Sequence, residues 1–399
     1  MTIASSTVSP GSPAGARTRR TVRIAMNGVT GRMGRNQHLI RSILAIRDQG
    51  GLAIDDGTVI WPEPVLIGRD PARLGALAEE FGLKEWSTDL QDVLRDPEVE
   101  IYFDAQLTSV REPAVRAAIA AGKHVYAEKP LTGDLRSTLD LARAARDAGV
   151  KNGIVQDKLF LPGLRKLRRL VESGFFGRIL SVRGEFGYWV FPGPDPAPQR
   201  PSWNYRSADG GGIISDMFCH WEYVLNGLFG APRAVSVLGA THIPERIGED
   251  GRPYDADAED AAYATFELDG GVVVQLNSSW CVRVQRGEVF ELQVDGTEGS
   301  AVAGLQNCLV QPAATTPRST WNPDLPDPID HRAGWQPLPA TETYDNAFKV
   351  QWERFLRHIV LDEPFPWDFL AAARGIQLAE LAARSWQERR WVTLPELSL

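Results

Sequence analysis

Residues 21–34 read TVRIAMNGVTGRMG, and this stretch decides the fold. Residues 22–26 form a short apolar run of the kind a buried strand carries. The turn after it holds Gly28, Gly31 and Gly34. Helical spacing then runs through Leu39, Ile43, Leu44 and Ile46 until Gly50-Gly51 stops it. Glycines between a strand and a helix let the backbone approach a pyrophosphate, and the helix N-terminus favours its charge. The spacing is G-x-x-G-x-x-G, whereas the usual fingerprint would place its first glycine at Val29. The strand and helix around the turn therefore carry the reading. Gly28, Thr30, Gly31, Arg32, Met33 and Gly34 are the expected dinucleotide contacts.

Outward from this turn, strands at 65–67, 99–103, 123–127 and 153–155 alternate with helical stretches. That alternation predicts a Rossmann-type, doubly wound parallel sheet over residues 21–155. Past residue 156 the strands lengthen and alternate apolar with polar, at 179–186, 262–268, 272–279, 289–294 and 301–310. Asp269-Gly270-Gly271 is a hairpin turn between two of them. A second α/β domain over 156–399 is expected, built on a large, open, mostly antiparallel sheet. Its last helices, around 348–359 and 370–381, are expected to pack back on the first domain.

Residues 1–20 read as a disordered tail rather than a twin-arginine signal, because a strand follows Arg19-Arg20. Five prolines in 191–201 mark either a lid on a pocket or a surface loop. The acidic run 245–260 reads as a solvated loop, since no His joins its carboxylates, and no metal is expected. A net charge of −8 with scattered Lys and Arg argues against a nucleic-acid partner. No apolar run is long enough to span a membrane. Three cysteines without a CxxC pair fit a reducing compartment, hence a cytoplasmic location.

The choice between NAD and NADP turns on the end of the second strand, where a carboxylate suits NAD and an Arg suits NADP. If that strand is 65–67, the position holds Gly68 and Arg69, which favours NADP, with Asp70 in reach of a ribose. If it is 52–54, Asp55 favours NAD. The first is preferred: Asp70-Pro71 opens a helix through Leu74, Leu77 and Phe81, whereas Asp55-Asp56-Gly57 starts a hairpin.

Two clusters carry chemistry. Glu128-Lys129-Pro130 follows a parallel strand, at the sheet edge where ligands bind. A Lys there can stabilise negative charge on a substrate oxygen, although an isolated one would as readily form a surface salt bridge. Residues 210–220 read GGGIISDMFCH, which sets Asp216 and His220 four apart on one helical face. A His can take a hydroxyl proton near neutral pH, and a carboxylate can orient it or hold a hydroxyl.

Together the glycine turn, the run 121–131 (AGKHVYAEKPL) and residues 210–220 resemble the Gfo/Idh/MocA family of oxidoreductases, over about residues 22–394. The resemblance implies an NAD(P)-dependent dehydrogenase or reductase that moves hydride between a sugar or cyclitol hydroxyl and nicotinamide. It implies that Lys129 contacts the reacting oxygen, that His220 is the general acid/base, and that Asp216 binds substrate and positions His220. Glu128 and Lys129 would border the cofactor. Apart from the resemblance, Trp203, Tyr205 and Arg206, with Asn204, are candidate sugar contacts, because aromatic faces and polar groups suit sugar rings; the alternative is that they brace the Pro-rich loop. A homo-oligomer, dimer or tetramer, would pair through the open sheet face. The chain departs from the family pattern at Tyr223, where an Asp is common, at Ala105-Gln106-Leu107-Thr108 with Arg111 beyond, and at Gln156-Asp157-Lys158. Alternatives are an NAD-dependent redox-mechanism glycoside hydrolase, a non-catalytic dinucleotide-binding regulator, and a dihydrodipicolinate-type reductase suggested by Gly31-Arg32-Met33-Gly34. Retention of Lys129, Asp216 and His220 counts against the regulator. The long C-terminal sheet and Glu128-Lys129-Pro130 count against the last.

Overall fold

In the computed structural model, which describes residues 18–55, 57–326 and 329–399, the deciding stretch forms strand β1 (Thr18–Asn27). Seven strands make the first sheet: β1, β2 (Leu52–Ala53), β3 (Thr58–Ile67), β4 (Trp86–Ser87), β5 (Val99–Asp104), β6 (His124–Ala127) and β7 (Asn152–Ile154). β1 runs parallel to β3 and to β5, with Asn27 beside Ile67 on one side and Asp104 on the other. The path β3-β1-β5-β6-β7 reverses chain order at β1, so β1 and β5 flank a topological switch point. Alternate residues serve opposite faces. Ala25, Tyr102 and Val125 face a core with Val115 and Leu141, whereas Met26, Phe103 and Tyr126 face the other side.

Several sequence boundaries shift; the single strand expected at 301–310, for one, is two antiparallel strands, Gly299–Gly304 and Cys308–Pro312. β1 starts at Thr18, inside the stretch read as a tail, because Thr18 donates to the carbonyl of Gly57 and Arg20 pairs with Glu100 at 2.8 Å. The rest of that tail lies outside the described residues, as does Asp56. The strand read at 65–67 begins at Thr58 and carries Pro62 and Pro64. Between β2 and β4 that edge of β3 has no partner strand among the described residues, so these prolines are tolerated there.

The second sheet contains β8 (Ile179–Gly187), β9 (Pro232–Ala240), β12 (Ala261–Leu268), β13 (Val273–Ser279), β14 (Phe290–Gly296), β15 (Gly299–Gly304), β16 (Cys308–Pro312), β17 (Gln336–Pro337) and β18 (Val392–Thr393). A small hairpin of β10 (Glu245–Ile247) and β11 (Pro253–Asp255) stands apart. The order is β17-β16-β15-β14-β8-β13-β12-β9-β18, antiparallel except at β8/β13. The acidic run is thus not wholly a solvated loop. Glu259 and Asp260 are buried, and Asp260 pairs with the buried Arg246 at 3.0 Å. The pairing and the backbone donors of His242 and Ile243 compensate its desolvation.

Helix α7 (Ile213–Leu228) lies on this sheet beneath α9 (Phe369–Glu388). It is apolar nearly all round, as a helix buried on both sides must be. Trp221 stacks on Phe290 at 5.2 Å and donates to Ser278 Oγ at 3.0 Å. Helix α8 (Ala347–Leu361) returns to the first sheet, where Trp352 meets Phe103 and Phe355 stacks on Tyr126. One apolar core therefore runs through both sheets and fixes the cleft between them.

Candidate active site

The glycine turn after β1 has one tight end and one open one. A Cβ on Gly28, whose φ is +84°, would lie 2.6 Å from the backbone of Ala105. One on Gly34 would lie 2.4 Å from the carbonyl of Gly28. These two glycines let β1, β5 and the following helix close on one another. A Cβ on Gly31 would meet only the Gly28 carbonyl, at 3.3 Å. The helix that follows, labelled α1, is π-wound over Gly34–Leu44 and α-helical over Ala45–Asp48; among the described residues it has no side-chain cap and no acid in its first turn. Uncapped N–H groups and an exposed Gly31 fit a dinucleotide pyrophosphate. Thr30 and Met33 are half-buried beside it and Arg32 is exposed. Arg73 ties the turn to the next helix by donating to the Thr30 carbonyl at 2.8 Å.

The rival positions for the ribose separate cleanly. Asp55 stands before β3, at the end of the sheet away from Gly28, and accepts from the backbone of Gly57 and Thr58. Arg69 lies two residues past β3, at the end of the sheet that carries the glycine turn, and is exposed. Asp70 caps helix α2 (Pro71–Glu80), accepting from Ala72 and Arg73.

Loops after β5 and β6 are fastened by Arg111, which is buried. Its guanidinium donates to Asp104 Oδ1 at 3.0 Å, to the carbonyls of Gln106 at 2.6 Å and Glu128 at 2.7 Å, and to that of Pro130. Glu128 is buried, and both its oxygens are engaged. Oε2 accepts from the Lys129 amide at 3.1 Å and Oε1 from His38 Nε2 at 2.8 Å. Trp352 can only donate, so its 3.0 Å contact makes His38 Nδ1 the acceptor and leaves the proton on Nε2. The Glu128 side chain thus points inward to a buried chain rather than standing free for a cofactor.

Lys129 and α7 meet across the cleft. Lys129 Nζ lies 2.9 Å from Asp216 Oδ1, and Arg200 Nη1 lies 3.1 Å from Oδ2. Although burial opposes it, the two cations hold the Asp216 carboxyl well below the usual range. Asp216 in turn holds Lys129 protonated against its desolvation. His220 is buried and its pKa is pushed well below the ordinary 6.5, first by burial, then by Lys158 and Lys129. Lys158 Nζ is 3.3 Å from Nε2 and can only donate, so Nε2 accepts. Nδ1–H then donates to Tyr223 Oη at 2.7 Å, and Tyr223 donates to Asp157 Oδ1 at 3.4 Å.

Among the described residues no side-chain hydrogen bond joins Asp216 to His220. Asp216 is spent on Lys129 and Arg200, and Tyr223 orients the imidazole instead. Of the expected sugar contacts, Tyr205 is buried against Trp280 and under the Arg246 guanidinium, in the domain core. Trp203 is 43% exposed and Arg206 lies over Tyr254. Neither makes a hydrogen bond or ring contact with Lys129, Asp216 or His220 among the described residues. Among those residues, too, no cluster of His, Cys, Asp and Glu could hold a metal ion.

Residues 22–155 match the family described as "Oxidoreductase family, NAD-binding Rossmann fold", and residues 164–302 match the GFO/IDH/MocA C-terminal domain. The chain belongs to the Gfo/Idh/MocA family. It is an NAD(P)-dependent oxidoreductase of CH–OH groups. It is 56% identical to D-xylose dehydrogenase of Paenarthrobacter nicotinovorans over 382 residues, covering 95% of this chain and 98% of that one. It is 25% identical to levoglucosan dehydrogenase of Pseudarthrobacter phenanthrenivorans over 263 residues, covering 61% of this chain and 66% of that one. The solved levoglucosan dehydrogenase in complex with NADH shares the fold, with a TM-score of 0.77 at 20% identity, over 95% of this chain and all of that one.

The site of this Gfo/Idh/MocA enzyme includes residues that sequence reasoning did not assign. Asp157, Lys158 and Tyr223 were visible only as departures from the family pattern. They compensate one another, since a Tyr where an Asp is common still reaches a carboxylate, Asp157. Arg200 carried a weaker signal, as the one cation in the Pro-rich run 191–201.

Proposed function

We propose that this enzyme is an aldose dehydrogenase acting on a pentose of the D-xylose class. The observation that carries the reading is the convergence of Lys129, Asp216 and a neutral His220 at the end of the first sheet that also carries the glycine turn. The D-xylose dehydrogenase that matches over almost the whole length of both chains supports the substrate class.

The bound nicotinamide supplies the hydride acceptor. The chain's own groups handle the proton. Lys129, kept cationic by Asp216, donates to the reacting oxygen and stabilises its developing charge. The substrate hydroxyl takes over His220 Nε2 from Lys158, and His220 accepts its proton. Tyr223 and Asp157 hold the imidazole and stabilise the imidazolium as it forms.

For the cofactor we favour NADP, with Arg69 on the 2′-phosphate. What supports this is that Asp70 is committed to its helix and Asp55 stands at the wrong end of the sheet. The open face of the second sheet, with Leu238, Tyr263 and Val273 exposed, supports pairing into a dimer or tetramer. Unpaired Cys219, Cys281 and Cys308 support a cytoplasmic setting. No helix among the described residues is long and apolar enough to cross a membrane.

The test is reduction of NAD and NADP, followed by absorbance of the reduced nicotinamide, with D-xylose, other aldoses and cyclitols. Steady accumulation of reduced cofactor with pentoses is expected. Glycoside cleavage without net reduction would transfer the assignment to a redox hydrolase.

A further inference from the structure

Arg200 enters the site from the Pro-rich segment, and its guanidinium is held on three sides. Nε donates to Tyr188 Oη at 3.2 Å. Nη1 donates to Asn204 Oδ1 at 2.8 Å and to Asp216 Oδ2 at 3.1 Å. The group lies 4.1 Å over the ring of Trp280, which is fully buried. A buried ring fixes the plane of the guanidinium, and three anchored bonds fix its rotation within that plane. Nη2 has no hydrogen-bond partner among the described residues, and it is not sealed from solvent. The side chain as a whole keeps 20% exposure.

An oriented donor pair thus stands open on the same group that holds the carboxylate partner of Lys129. Its anchors Tyr188, Asn204 and Trp280 all belong to the second domain, whereas the dinucleotide turn belongs to the first. The open edge therefore belongs to a second-domain group that already touches Asp216 in the site. Guanidinium N–H groups can only donate, so they call for an acceptor oxygen.

We propose that Arg200 is a specificity-determining residue, whose Nη2 donates to a sugar hydroxyl other than the one being oxidised. This rests on the aldose-dehydrogenase reading. A sugar lacking that hydroxyl leaves an oriented donor unpaired. Solvent reaches Nη2, so the penalty falls below that of a sealed site, at roughly 10–100-fold in kcat/KM.

The experiment compares D-xylose with its 2-, 3- and 4-deoxy analogues in the full-length enzyme with cofactor, for wild type, Arg200→Met and Arg200→Lys. Wild type is expected to lose roughly 10–100-fold on one analogue. In both variants the ratio between D-xylose and that analogue should shrink toward one. A role confined to bracing Asp216 or the Pro-rich segment would lower kcat/KM for every sugar by one factor and keep the ratio. That result overturns the proposal, as does a wild type indifferent to all three deletions. Arg200→Lys keeps a cation at Asp216, so it decides the matter if Arg200→Met does not fold. A wild type that oxidises no sugar overturns the aldose reading, and this inference with it.

Discussion

Two glycine-rich turns each open a helix in this enzyme, and they end in opposite states. After Gly28–Gly34 the N-terminus of α1 is left uncapped, and Gly31 is exposed. After Gly210–Gly212 the N-terminus of α7 is filled by the chain itself. Ile214 N donates to Glu259 Oε1 at 2.9 Å, and Ile213 N to the Glu259 carbonyl at 2.9 Å. A Cβ on Gly212 would lie 2.5 Å from that carboxylate. In the proposed reading the first turn receives an anion. The second uses its own anion to fix the helix that carries Asp216 and His220. Glycines before a helix thus mark a ligand site only where no side chain has already taken the helix N-terminus.

The division of labour can be broken most severely at His220. His220→Ala should lower kcat by roughly 10²–10⁴-fold while the Kd for reduced cofactor stays near wild type. A comparable loss in cofactor affinity would show that the two turns do not serve separate ends. Selectivity at the open turn is the next test. Arg69→Ala should weaken NADP by roughly 10-fold, about 1.4 kcal/mol, and NAD much less. Equal weakening of both, read from KM, would remove Arg69 from the cofactor site.

The pH profile sharpens the closed side. In the proposed mechanism the neutral imidazole is the base, and its pKa lies below the ordinary 6.5. Oxidation should therefore hold its kcat as pH falls through 6.5 and decline only at more acid pH. Lys158→Gln removes a cation that lowers this pKa, so its acid limb should move upward. An unmoved limb would clear Lys158 of tuning His220.

A further effect is on stability. Glu222, buried on α7 with Asn226 as its hydrogen-bond donor, has its carboxyl pushed up from 4.5 to about 7 by burial. Its folded pKa exceeds the unfolded one, so stability from this group is full below pH 4.5 and is lost as pH rises through about 7. Glu222→Gln should therefore gain on the order of 1–3 kcal/mol at pH 8, with the gain vanishing in acid. Urea melts at the two pH values measure it.

Much of this was legible in the sequence, for physical reasons. Parallel strands buried on both faces announce themselves as short apolar runs, so β1, β5 and β6 stood out. Lys129, Asp216 and His220 were legible because the resemblance fixes their positions. The relay behind His220 was not, because Asp157 and Tyr223 lie 66 residues apart and meet only through the packing of α7. Tyr205 was misread as a sugar contact because an aromatic beside a Pro-rich loop looks alike whether its ring faces a cleft or a core. Glu259 was hidden in an acidic run whose composition signals solvent, although its carboxylate closes a helix.

Central to this account is that the first turn holds the cofactor and the second holds the catalytic helix. The most direct measurement is the Kd of reduced cofactor, by calorimetric titration, in Gly31→Val and Glu259→Ala side by side. Gly31→Val should weaken binding roughly 100-fold, about 3 kcal/mol, and Glu259→Ala should bind as wild type does while losing turnover. Equal Kd values in the two variants would contradict it.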